Sequence, residues 1–186
     1  LVLALGRMGR PRSWVIFYAW NPLIIKEIAN SAHLESLLGL ALAGLLLSCC
    51  LYRERQSAGR LLWIAVAFSA AVLCKLYPIM LAPLVAAFVW RSTRSLKALL
   101  GLGAACLVIG CVAYAPFLTV GVERLTEGLR MFGQTWERNA GLFSALALIT
   151  PHARLFTALI VLAVVAAGAI AVLRSTRALD AFISAL

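Results

Sequence analysis

The chain has 186 residues, of which 63% are hydrophobic and only 13% charged, with a mean hydropathy of +0.98. Water-soluble domains are roughly half apolar and a quarter charged, so this balance excludes a soluble globular protein. The net charge of +10 does not point to nucleic acid, because the basic residues stand in short clusters between long apolar blocks and not on one polar face. Apolar blocks separated by basic clusters are the pattern of membrane-spanning helices. The expected fold is all-α, a polytopic transmembrane helical bundle of about six spans. The chain opens and closes inside apolar stretches, and it reads as a single transmembrane domain, 1–186, truncated at both ends.

In chain order, Arg7, Arg10 and Arg12 form the first basic cluster, and Ser13 to about Ile25 follows as a short crossing. Leu34 to Tyr52 is a 19-residue apolar run, interrupted only by Glu35. At about 1.5 Å per residue it spans the roughly 30 Å hydrocarbon core. Leu61 to Trp90 is too long for one span and is broken at Lys75, Tyr77 and Pro78. The clusters on either side of it, Arg53/Arg55/Arg60 and Arg91/Arg94/Lys97, both belong on the cytoplasmic side by the positive-inside rule, so an even number of crossings separates them. Leu61 to Cys74 and Ile79 to Trp90 are therefore two short or tilted helices meeting near the outer face. Ala98 to Phe117 and Leu155 to Leu173 are the remaining full-length spans.

This topology gives cytoplasmic basic loops at 7–12, 53–60, 91–97 and 174–177, and outer segments at about 26–33, 75–78 and 118–154. Eleven basic residues then lie inside against Glu54 and Asp180, while six basic and five acidic residues lie outside. The unusual polar residues collect on the outer side. Asn21, Lys26, Glu27, Asn30, His33 and Glu35 surround the first outer turn, and Lys75 and Tyr77 lie at the second. Ionisable groups at membrane depth are costly unless paired or facing a cavity. If 25–35 is helical, Glu27, Ser31 and Glu35 share one face and Lys26, Asn30 and His33 the next. Such a wall suits either a polar site or an interfacial amphipathic helix whose side chains snorkel. Lys75 likewise either meets a phosphate or carboxylate or reaches the outer headgroups. Glu123, Arg124, Glu127, Arg130, Glu137 and Arg138 have the spacing of an amphipathic helix with internal ion pairs, with Trp136 and Asn139 near its end as an aromatic belt and a polar turn.

The five cysteines read as small apolar packers, and no metal-ligand spacing, Gly-rich phosphate loop, HExxH or GxSxG is present. No cofactor is implied.

Tyr18 to Ser36, YAWNPLIIKEIANSAHLES, resembles the multispanning GT-C glycosyltransferases that take sugars from polyprenyl-phosphate donors, in particular the bacterial mannosyltransferase-like branch. The tract Asn-Pro-Leu, then an acid, then His-x-Glu carries the likeness. Lys75-Leu-Tyr-Pro78 with Pro83, and Phe132 to Phe143 (FGQTWERNAGLF), resemble two further tracts in the same order. The resemblance implies transfer of a hexose, mannose by the branch, from a polyprenyl-phosphate donor to a glycan or lipid acceptor, at the outer face of a bacterial cytoplasmic membrane. It further implies that Asn21, Glu27, Asn30, His33, Glu35, Lys75, Tyr77, Trp136, Arg138 and Asn139 line the substrate site. Lys75 would stand near the departing phosphate, with Arg138 or Arg124 as weaker candidates. The general base of these enzymes lies in a first outer loop that would precede Leu1, so no catalytic base is assigned within the chain. Two other functions fit the composition. A transporter or flippase for a lipid-linked or anionic solute would use the broken helices as a pathway, and a structural membrane subunit would need no site.

Overall fold

In the computed structural model, residues 1–26, 35–135 and 141–175 are described, and all regular structure among them is helical. Three helices are long and apolar enough to cross a membrane: α4 (Glu35–Glu54), α7 (Leu96–Tyr114), which continues as a 3-10 stretch to Val120, and α10 (Ala153–Arg174). That is fewer than the six expected. The other three expected crossings are shorter or interrupted, each for a local reason.

The segment 13–25 is not one helix. It folds as a 3-10 turn Arg12–Trp14, α2 (Val15–Ala19) and α3 (Pro22–Ile25). Asn21 stands before Pro22, and a residue before proline is driven to extended backbone; Asn21 has φ −68° and ψ 118°, which ends α2. Its side chain then accepts a hydrogen bond from the Leu23 N–H at 2.9 Å and caps α3. α1 (Val2–Arg7) precedes this segment.

The 61–90 region breaks where the sequence predicts. α5 (Ala58–Cys74) has 17 residues and is capped at its start by Ser57, whose Oγ accepts from the Arg60 N–H. Lys75 is extended, at φ −150° and ψ 144°. A 3-10 turn, Tyr77–Leu81, then runs without interruption into α6 (Ala82–Thr93). Pro78 and Pro83 stand in the first turns of these elements, where proline costs no hydrogen bond. α6 ends at Arg94, in the left-handed conformation (φ 52°), whose N–H bonds to the Trp90 carbonyl at 2.7 Å. The two short helices are not packed face to face as a pair: α5 packs on α4 and α7, and α6 on α10 and α7.

Hydrogen bonds between loops define one end of the bundle. Arg7 Nη1 lies 2.6 Å from both Glu54 carboxylate oxygens, Gln56 Nε2 donates to the Ser92 carbonyl at 2.6 Å, and Arg91 Nε donates to the Ser175 carbonyl at 3.1 Å. The C-termini of α4, α6 and α10 therefore share this end with the starts of α5 and α7. Arg53, Arg91 and Arg174 lie in the last turns of the three helices, where a cation meets the negative pole of the helix dipole.

The core consists of Leu45, Cys49 and Tyr52 of α4, Ile64, Ala65 and Phe68 of α5, Leu84, Val85, Phe88 and Val89 of α6, Leu102 of α7 and Val172 of α10. Most of it lies toward the Arg-rich end. Outside it, α7 and α10 turn long side chains away from the protein, with Leu107 and Val112 at 68% and 67% exposure and Val164 at 67%. Helices that are apolar all round and packed on only one side belong in lipid. Hydroxyls in these helices are tied back to their own backbone, as with Ser92 to the Phe88 carbonyl (2.8 Å) and Thr157 to the Ala153 carbonyl (2.8 Å). Over the described residues the chain is all-helical, with the build of a membrane protein.

Candidate functional site

At the end opposite the Arg-rich one, α4 begins with Glu35 and α5 gives way to Lys75. The two side chains form an ion pair, Lys75 Nζ to Glu35 Oε1, across forty positions of sequence. Both are partly buried, at 39% and 33% side-chain exposure. The pair exists because of two local events. Glu35 occupies the first turn of a helix, where a carboxylate is favoured, and the extended backbone at Lys75 swings its side chain out of the α5 register. A strongly hydrated ammonium and a carboxylate are thereby held in one place at the edge of an apolar bundle, where neither would rest alone without cost.

Tyr77 opens the 3-10 turn two residues beyond Lys75 and is 57% exposed, with Pro78 buried beneath the turn. Tyr18 approaches the same end of α4: its hydroxyl lies 2.6 Å from where a Cβ on Gly39 would stand, one helical turn from Glu35. Only glycine admits that approach without displacing the tyrosine. Asn21 is spent in capping α3, and with Ile16, Phe17, Trp20 and Pro22 it borders an open hollow of about 490 Å³.

Of the ten residues expected at the site, the structure thus brings Glu35 and Lys75 into contact, with Tyr77 two residues along the chain from Lys75, while Asn21 is on the adjoining segment. Glu27, Asn30, His33, Trp136, Arg138 and Asn139 lie outside the described residues. Arg124 is exposed on α8 (Val122–Thr135), a helix with Glu123, Glu127 and Arg130 along its polar side. Tyr18 was not singled out by sequence reasoning, although its place ahead of the Asn-Pro break was a usable signal. His152 and Arg154 were also missed. They border a cavity of about 440 Å³ between α9 (Gly141–Ala147) and the start of α10.

Among the described residues no group of histidine, cysteine, aspartate and glutamate side chains is arranged to hold a metal ion, and the five cysteines are free thiols. Chemically, the arrangement offers a paired cation and anion at one end of a hydrophobic bundle, with an exposed phenol two residues further along the chain. A phosphate could exchange with the Glu35 carboxylate on Lys75, and the released carboxylate could accept hydrogen bonds from sugar hydroxyls.

The chain has no match among family models, curated proteins or solved structures.

Proposed function

We propose that the protein is a membrane glycosyltransferase that moves a hexose from a polyprenyl-phosphate donor to a glycan or lipid acceptor at the outer face of a cell membrane. The observation that carries this reading is the Glu35–Lys75 pair at the end of the bundle opposite the Arg-rich one. In the reaction, an acceptor hydroxyl oxygen attacks the anomeric carbon and the bond from that carbon to the phosphate oxygen breaks. The bonding electrons leave with the phosphate, while a carboxylate takes the hydroxyl proton. Lys75 stands where charge develops on the leaving phosphate, and Glu35 holds the ammonium in place before the donor arrives. Tyr77, which opens the 3-10 turn two residues further on, is a wall for the sugar.

The reading includes six crossings, with the Arg-rich end in the cytoplasm. Three observations support the shorter ones. α5 is about 25 Å long, and the 3-10 turn with α6 makes a continuous rise of about 28 Å, each close to the hydrocarbon thickness. The N-terminal segment touches α4 at Glu54 through Arg7 and at Gly39 through Tyr18, contacts about 22 Å apart along the helix.

The test is glycosyl transfer in membranes carrying the full-length protein, supplied with radiolabelled polyprenyl-phosphate-mannose. Glu35→Gln, Lys75→Ala, Glu27→Gln and His33→Ala are compared with wild type at matched expression. Transfer by wild type, reduced at least tenfold in Lys75→Ala, supports the proposal. Absence of transfer from mannosyl, glucosyl and arabinosyl donors alike refutes it in favour of transport, and transfer indifferent to all four substitutions removes the site from this end.

A further inference from the structure

At the Arg-rich end, the turn that follows α1 carries three arginines, each placed by a contact of its own. α1 closes on Gly9, at φ +69°, with the Arg10 N–H bonded to the Leu5 carbonyl (2.9 Å) and the Gly9 N–H to the Gly6 carbonyl (3.2 Å). This is the pattern of a helix that stops at a left-handed glycine, and it gives the turn a defined shape. Arg7 reaches Glu54, and Arg10 lies over the indole of Trp14, 5.6 Å from the ring centroid. Arg12 folds back on α1: its Nε is 2.9 Å from where a Cβ on Gly6 would stand, an approach that glycine alone leaves open. We propose that Arg10 and Arg12 form a binding site for the phosphate of an anionic phospholipid in the leaflet that meets this end of the bundle.

Neither contact neutralises its arginine. An indole face attracts the cation but leaves the guanidinium N–H groups for an oxygen acceptor, and the backbone at Gly6 brings no charge. Glu54, the acid that this turn meets, has both oxygens 2.6 Å from Arg7 Nη1 and one of them 3.9 Å from Arg60. Like charges two residues apart on a closed turn repel, and a phosphate between them reverses the sign, because each guanidinium can donate two N–H bonds to its oxygens. Depth selects a lipid over a dissolved anion. Glu54 is the last residue of α4, which is long enough to span the hydrocarbon core, so a turn pinned to it stands at a membrane surface. On the same segment Leu3 and Trp14 are 63% and 45% exposed, a branched alkyl group suited to acyl chains and an indole suited to the headgroup level. α1 and the 3-10 turn Arg12–Trp14 pack on each other, so the two cations and the two apolar side chains belong to one unit.

The experiment uses the purified full-length protein, stripped of lipid in a neutral detergent, with binding followed by native mass spectrometry and by thermal unfolding. The probes are phosphatidylglycerol, phosphatidylcholine and inorganic phosphate. Phosphatidylglycerol should raise the unfolding temperature where the other two do not, and Arg10→Ala and Arg12→Ala should each hold the tightest-bound molecule about fivefold more weakly. Gly6→Ala keeps every charge but displaces Arg12, and should weaken binding severalfold. Lys97→Ala removes an exposed cation from the same end, outside the turn, and should leave that molecule in place. A loss in Lys97→Ala equal to that in Arg10→Ala overturns the proposal, by reducing the effect to the net charge of that end. Unchanged binding in the Arg10→Ala/Arg12→Ala double variant overturns it too, as does phosphatidylcholine bound as tightly as phosphatidylglycerol. Equal stabilisation by inorganic phosphate assigns the turn to a dissolved anion and likewise overturns it. If Gly6→Ala does not fold, Arg12→Lys, which keeps the charge but loses the planar fork, carries that comparison. Glycosyl transfer is read at Lys75, at the other end of the bundle, so failure of that reading and failure of this one are distinguishable.

Discussion

Replacing Lys75 and Glu35 singly and together separates a real ion pair from two side chains that are merely near each other. In bulk water two charges in contact attract by about 1 kcal/mol, and near a protein surface by several times that, before desolvation and side-chain entropy are subtracted. With about a third of each side chain exposed, the net coupling falls between that of a fully exposed pair and that of a buried one, roughly 1–2 kcal/mol. Lys75→Met and Glu35→Gln should each destabilise the protein, and the double variant should lose less than the sum of the two. The assay is a double-mutant cycle on unfolding of the protein in a fixed detergent, read by tryptophan fluorescence. The charge-swapped variant, Glu35→Lys with Lys75→Glu, should recover stability but not transfer, because the cation then stands on the other helix. A coupling below about 0.3 kcal/mol, or a swap no better than the single reversals, would refute the pair as an organising contact.

Phe88 of α6, fully buried in the core, should cost about 3–5 kcal/mol when cut to alanine, whereas Leu107→Ala on the exposed apolar side of α7 should cost under about 1 kcal/mol; both are measured by thermal unfolding in the same detergent. Gly39→Ala gains helix propensity but meets the Tyr18 hydroxyl, so it should be close to neutral, and the gain of about 0.5–1 kcal/mol should emerge in the Tyr18→Phe background. An equal effect in both backgrounds would mean that Tyr18 does not rest there. Single cysteines introduced at Tyr77 and Arg55, in a chain freed of its own five, should react with a membrane-impermeant maleimide from opposite sides of sealed vesicles. Labelling from one side would remove the proposed topology.

The long apolar runs were legible because length and hydropathy alone decide them: α4, α7 and α10 lie within a few residues of the runs 34–52, 98–117 and 155–173. The break at Lys75 was legible for a similar reason, since proline and a lone cation interrupt an apolar pattern visibly. The segment 13–25 misled because charge counting demands a crossing there without saying how the backbone makes it, and the Asn21–Pro22 stop outweighed the apolar pattern. A carboxylate was one of the partners expected for Lys75, on the side where Glu35 also stands, but which carboxylate it meets was not legible. Nothing local to positions 35 and 75 connects them; the contact follows from α5 packing against α4. The cavity at His152 was missed for a related reason, since its lining comes from two helices and the turn between them, and spacing along the chain carries no sign of it.

The gathering of arginines at one end also fixes how the protein can enter a membrane. Ten of the basic residues, Arg7, Arg10, Arg12, Arg53, Arg55, Arg60, Arg91, Arg94, Lys97 and Arg174, lie on the loops and helix ends there, with Glu54 as the only acid among those described. With that end in the cytoplasm, as proposed, and a potential of 100 mV, negative inside, carrying that net charge outward would cost on the order of 20 kcal/mol, before any charge is stripped of water. On the proposed topology a finished bundle therefore cannot invert, and its orientation is settled while the helices are being inserted, with every Arg cluster acting in turn as a ratchet tooth.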